Sequence, residues 1–141
     1  MHGCFLVGNP GENRESLNKT LEMALRLSPD TAQFYPIMIY PGTKAYDWAA
    51  RKGYITVQGY DAWLTPEGLH NSVVSTPELT WQELTDWCYA ARRAFYLRPR
   101  YLGAKLLQGL RSPAELKRLA RGGLTLSRFL LRGTFGGRQR Q

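Results

Sequence analysis

Acidic residues nearly vanish from the last third of this chain. Residues 98–141 hold 11 Lys/Arg and one acid, Glu115, a net of 11 − 1 = +10. Residues 1–97 hold 8 Lys/Arg and 10 Asp/Glu, a net of −2, and the two parts sum to the formal charge of +8. The high overall charge therefore describes a basic tail on a near-neutral body. Cysteine is as scarce, with only Cys4 and Cys88. Neither has a second Cys or a His at metal-ligand spacing, which excludes a metal site built by this chain. Both lie in apolar patterns, so two buried thiols in a reducing, cytoplasmic compartment are expected. No apolar run reaches membrane-spanning length. No basic region followed by a long apolar stretch opens the chain, so no secretory signal is expected. What remains, with 43% apolar residues in 141, is enough for one folded domain of ordinary size.

The organising stretch is GCFLVGNPGE, Gly3 to Glu12. Cys4 to Val7 read as a strand buried on both faces. Gly8, Pro10 and Gly11 make a turn in which backbone can approach closely, and a helix follows at once. That geometry suits a polar or anionic ligand at the helix start; a plain strand-to-helix turn explains the same residues. A phosphate-binding P-loop is excluded, because Asn9 and Pro10 stand where its Lys and Ser/Thr must be.

Leu17, Leu21, Ala24 and Leu25 give the helix one apolar stripe, with Glu12 and Glu15 near its positive end. Ser28-Pro29 ends it. Residues 31–40 read as a second strand, with Pro36 marking a bulge or an edge. Pro41-Gly42-Thr43 turns into a short helix with Ala45, Trp48 and Ala49 on one face, stopped at Gly53. A helical crossover makes the two strands parallel and puts both glycine turns at the same, C-terminal edge of the sheet. Residues 54–79 read as an irregular loop with a short strand at Ser72 to Ser75, serving as a lid, a binding loop or a cover for the sheet edge. Thr80-x-x-Glu83 is a capping box that opens a long amphipathic helix to about Leu97, broken by Pro99. A second capping box at Ser112–Glu115 opens a basic helix, and Leu124 to Leu131 suggest one more. The expected core includes Leu6, Leu21, Phe34, Trp48 and Trp87.

Three segments together carry a family resemblance: GCFLVGNPGENRES at 3–16 with the helix after it, PDTAQFYPIMIYPGTKAYDWA at 29–49, and the run from STPELTWQEL to ARRAFYLRPRYL at 75–102. In order and spacing they resemble the C-terminal part of radical S-adenosylmethionine (SAM) enzymes that carry a cobalamin-binding domain. That group includes anaerobic magnesium-protoporphyrin cyclases and hopanoid-tail enzymes. The resemblance implies an α/β fold: a fragment of a partial (β/α) TIM-like barrel, followed by a C-terminal helical region. Residues 1–79 would be the barrel part, 80–111 a helical extension and 112–141 a basic helical tail.

The family's cofactors are SAM, a 4Fe–4S cluster and cobalamin. By position, Leu6 and Gly8 match the strand that packs on the adenine of SAM, and Ile39 and Tyr40 end the next strand beside the adenosyl group. The chain departs from the family in two ways. Asn9 replaces a commonly apolar residue before Pro-Gly, and there is no CxxxCxxC loop to hold a cluster. The chain alone is thus expected to bind none of these cofactors, to have no catalytic residue and to require a partner carrying the cluster loop and cobalamin domain. The alternative is a non-enzymatic module whose basic amphipathic tail meets an anionic membrane surface, peripherally, or nucleic acid. Basic residues interleaved with Leu and Phe favour the membrane, and a solvated basic face explains them equally well.

Overall fold

The computed structural model describes residues 1–56, Trp63 and residues 72–111, with side chains described as far as Gly109. The body of the 54–79 loop and both helices expected after residue 111 lie outside the described residues. In order, the elements are β1 (His2–Val7), α1 (Arg14–Leu27), β2 (Thr31–Pro36), α2 (Lys44–Lys52), α3 (Trp81–Tyr96) and α4 (Pro99–Arg111). They fall into two units, Met1–Cys88 and Tyr89 onward, with the boundary inside α3.

The first unit is built on a β1–α1–β2 crossover. The two strands pair in parallel, with Phe5 opposite Phe34 and Leu6 opposite Tyr35. Helix α1 forms where the apolar stripe lies: Leu17 and Ala24 are buried, and Leu21 is half-buried. Asn13 caps it, its side chain accepting from Ser16 N at 3.0 Å while Asn13 N donates to Ser16 Oγ at 3.0 Å. Ser28 closes it in the left-handed region at φ 47°, before the buried Pro29.

The strand faces differ from the expectation of burial on both sides. Along β1, Phe5 and Val7 are buried, while Cys4 and Leu6 are exposed. Along β2, Ala32, Phe34 and Pro36 are buried, Gln33 is exposed and Tyr35 is half-buried. One face of this pair therefore forms core, and the other, with Cys4, Leu6, Gln33 and Tyr35, is largely open. Leu6 is 39% exposed and Cys4 is not a buried thiol, which corrects both expectations; Cys88 is buried as expected. The four-residue apolar run conceals the alternation because Cys4 and Leu6 are apolar yet point to the uncovered side.

Strand β2 ends at Pro36, four residues short of its expected end. Ile37 N donates to Val7 O at 2.7 Å. Successive N–H groups alternate in direction, so the N–H that Pro36 lacks would face away from β1, as on an edge. The buried side of the sheet is tied to the start of α3: Phe5 stacks on Phe34 at 5.1 Å, and Trp87 meets Phe34 edge-on at 5.9 Å. Phe34 is fully buried; Trp87 is only half-buried, as is Trp48.

A second cluster lies beyond the strand ends. Ile37, Ile39, Ala49, Trp63, Val73 and Val74 are buried together, with Ala45, Trp48, Tyr54 and Ile55 packed against them. The strand expected at 72–75 is a single antiparallel bridge, Ile55 to Val74. Helix α3 opens with the expected capping box, in which Thr80 N and Thr80 Oγ1 both donate to Glu83 Oε2, at 2.9 and 3.0 Å. The Thr80 backbone N–H, and then the Arg14 guanidinium paired with it, hold the Glu83 carboxyl down to about 2. The cap is thus ionised throughout the neutral range.

In the second unit, α3 runs out at Tyr96 and Pro99 is the first residue of α4. Proline here starts a helix rather than only stopping one, because its missing N–H falls where no intrahelical bond is made. Rings of Phe95, Tyr96 and Tyr101 meet pairwise at 5.1 to 5.6 Å, and the Arg98 guanidinium lies 4.1 Å from the Phe95 ring centroid. Among the described residues, no helix is long and apolar enough to cross a membrane.

Candidate functional site at the strand ends

Both glycine turns follow the C-terminal ends of the parallel strands, the edge where open α/β sheets and barrels carry ligands. The first turn is filled by the protein itself. Gly8 N–H donates to Glu12 Oε2 at 2.5 Å, and Asn9 N–H reaches the same oxygen at 3.1 Å. Asn9 Nδ2 lies 3.4 Å from Glu12 Oε1, and Glu12 N donates back to Asn9 O at 3.1 Å. An internal carboxylate thus takes the backbone donors that an external anion would need. Of the two readings of this stretch, the contacts favour the plain strand-to-helix turn. Glu12 is spent on the turn, and Asn13, one residue on, caps the helix. In sequence Glu12 reads as a first-turn acid; its position four residues after Gly8 is the signal that could have found the clamp.

Glu12→Ala leaves two part-buried donors without their carboxylate. The expected loss of unfolding free energy is about 1–3 kcal/mol, to be read from urea unfolding. A loss below about 0.5 kcal/mol, the range of an ordinary surface change, would refute the clamp.

Gly8 combines a positive φ of 94° with close packing: a Cβ there would stand 3.0 Å from Leu84 Cδ1 and 3.3 Å from Ile37 Cγ2. The second turn is Tyr40-Pro41-Gly42-Thr43. Thr43 N donates to Tyr40 O at 3.2 Å, Thr43 Oγ1 donates to the same oxygen at 2.7 Å, and Gly42 has φ 84°. Thr43 then caps α2 by accepting from Tyr46 N at 3.2 Å.

The four residues matched to a SAM site occupy different surroundings. Leu6 lies on the open sheet face, and Tyr40 is 53% exposed with its ring 5.5 Å from that of Trp63. Gly8 and Ile39 are buried, Ile39 inside the second cluster. Of the four, Leu6 and Tyr40 expose side-chain surface, while Gly8 and Ile39 are enclosed by their neighbours. Sequence reasoning missed Tyr35, which pairs in register with Leu6 on the open face. No group of three His, Cys, Asp or Glu side chains that could hold a metal occurs among the described residues.

The chain is similar to an uncharacterized methyltransferase of Pyrococcus horikoshii, with 29% identity over 100 residues. The match takes in 71% of this chain and 21% of that protein, so the chain spans about a fifth of the length of the relative it matches. No protein-family model matches the chain. No solved structure matches it either.

Proposed function

We propose that this chain supplies two consecutive strands and flanking helices of a partial (β/α) barrel in a SAM-dependent enzyme of the cobalamin-type radical SAM group. Its strand ends would meet the adenosyl part of SAM. The observation that carries this is the uncovered face of the parallel pair, where Leu6 and Tyr35 stand side by side in register. Parallel strands ordinarily have both faces covered, and a two-stranded sheet is marginal by itself. A face of this kind fits the inside of a barrel completed by further strands. Similarity to a methyltransferase, a class that uses SAM as methyl donor, supports the same reading.

The residues fit the groups of such a site unequally. Leu6 and Tyr40 offer apolar surface suited to an adenine. Two cysteines, one exposed and one buried, do not fit a cluster that needs three thiolates from one short loop. The chain is therefore catalytically incomplete, and no step of SAM cleavage is assigned to its residues. The cluster loop and cobalamin domain would come from a partner segment.

Anaerobic reconstitution with iron and sulfide tests this. The chain alone should show no charge-transfer absorbance of a stoichiometric cluster and should not cleave SAM. Combined with a polypeptide bearing the CxxxCxxC loop, encoded upstream or beside it, it should support reductive formation of 5′-deoxyadenosine. Leu6→Glu should weaken SAM binding in that complex by about ten-fold or more, the effect of placing a charge against an apolar ligand surface. A cluster on the chain alone, or an unaffected Leu6→Glu complex, would overturn the proposal.

A further inference from the structure

Helix α4 carries three exposed leucines. Leu102, Leu106 and Leu107 are 50%, 63% and 62% exposed. At 100° per residue they share one side of the helix with Gly103 and Ala104, also exposed. The opposite side holds Tyr101, Lys105 and Gln108, all half-buried, and the buried Gly109. Local contacts fix this orientation. Lys105 Nζ donates to Gln108 Oε1 at 3.2 Å and lies 5.6 Å from the Tyr101 ring centroid. Tyr101 in turn packs on Phe95 and Tyr96. The polar residues are thus held in, and three large apolar side chains face out. Large apolar residues exposed side by side are a mark of interaction surfaces.

Charge narrows the choice of partner. Residues 98–111 carry Arg98, Arg100, Lys105 and Arg111 and no Asp or Glu, and residues 98–141 carry 11 basic residues against Glu115. Arg100 is exposed near Leu107 on the helix surface. We propose that α4 is a docking surface for an anionic lipid bilayer. Leu102, Leu106 and Leu107 enter the boundary between headgroups and acyl chains, and the exposed Arg100 meets the headgroup charge. A nucleic acid would satisfy the cations but leave three leucines in water. A bilayer with anionic headgroups satisfies both sets of groups at once.

The test is co-sedimentation of the full chain with vesicles of phosphatidylcholine, with and without phosphatidylserine, at about 0.05 M and about 0.5 M salt. Binding to the anionic vesicles should weaken at high salt but persist, and neutral vesicles should bind much less. Leu106→Gln/Leu107→Gln should lower anionic-vesicle binding by about ten-fold or more at both salt concentrations, because the insertion term is lost. Arg100→Ala should lower it by about five-fold at low salt and much less at high salt. Both variants alter exposed residues, so their thermal unfolding should match the parent's, which separates lost docking from lost folding. Random-sequence duplex DNA serves as the phosphate-only probe. The proposal is overturned if the parent ignores anionic vesicles, if the leucine variant binds them as the parent does, or if DNA binds as tightly as vesicles.

Discussion

Phe34→Ala is expected to lower the unfolding free energy by about 3–5 kcal/mol, the usual range for truncating a fully buried aromatic. Phe34 has no exposed surface. Its ring stacks on Phe5 at 5.1 Å with an interplanar angle of 17°, and Trp87 meets it edge-on at 5.9 Å and 79°. Truncation removes the ring's burial, leaves a cavity between the strands and α3, and breaks both aromatic pairs, each worth about 0.5–1.5 kcal/mol beyond burial. Domains of this size have about 5–15 kcal/mol in total, so the loss is a large share of the whole. Urea unfolding followed by Trp fluorescence is the measurement. Leu6→Ala is the internal comparison. It also truncates a large apolar residue of the sheet, but on the open face, and should cost under about 1 kcal/mol. Similar losses for the two would mean that the sheet has no distinct inner and outer face.

That contrast also shows what the sequence could and could not reveal. The first helix, the Thr43 turn and the Thr80–Glu83 cap were legible, because each is set by residues within one or two turns of each other; the parallel crossover followed from a helix lying between two strands. The inward face of β1 was not legible. Cys4, Phe5, Leu6 and Val7 are all apolar, and only tertiary packing decides which of them are covered. The side that Leu106 and Leu107 take was left open by the sequence, because basic residues interleaved with Leu suit a membrane-facing helix and a packed one alike; Tyr101, Lys105 and Gln108 occupy the inner side. Of the candidate site, the first glycine turn at the end of β1 was legible, whereas the second lies beyond the end of β2, which stops at Pro36. The occupation of the first by Glu12 was not legible, since a carboxylate near a helix start is equally suited to the helix dipole.

Gly8 is where the ligand reading and the packing reading of the first turn part most clearly. A ligand reading keeps Gly8 bare so that another molecule can approach. In the structure the approach is made by Leu84 of α3, whose Cδ1 would lie 3.0 Å from an added Cβ, with Ile37 Cγ2 at 3.3 Å. Gly8→Ala should therefore be destabilising through two separate causes. Its φ of 94° is unfavourable for an L side chain, costing about 1–2 kcal/mol. The new methyl also displaces Leu84, adding about 1–3 kcal/mol of overpacking. Gly11 isolates the first cause: its φ is 83°, and an added Cβ would meet nothing within 4 Å. Gly11→Ala should thus lose only the backbone part, about 1–2 kcal/mol. Leu84→Ala is costly alone, because Leu84 is fully buried, but it removes the obstacle. Combined with Gly8→Ala it should lose less than the sum of the two, by about 1 kcal/mol or more in a double-mutant cycle. Chemical unfolding of the parent and the four variants supplies every value needed. Equal losses at Gly8 and Gly11, together with strict additivity at Gly8 and Leu84, would show that Leu84 does not need the bare backbone. Gly8 would then be free to serve a ligand instead.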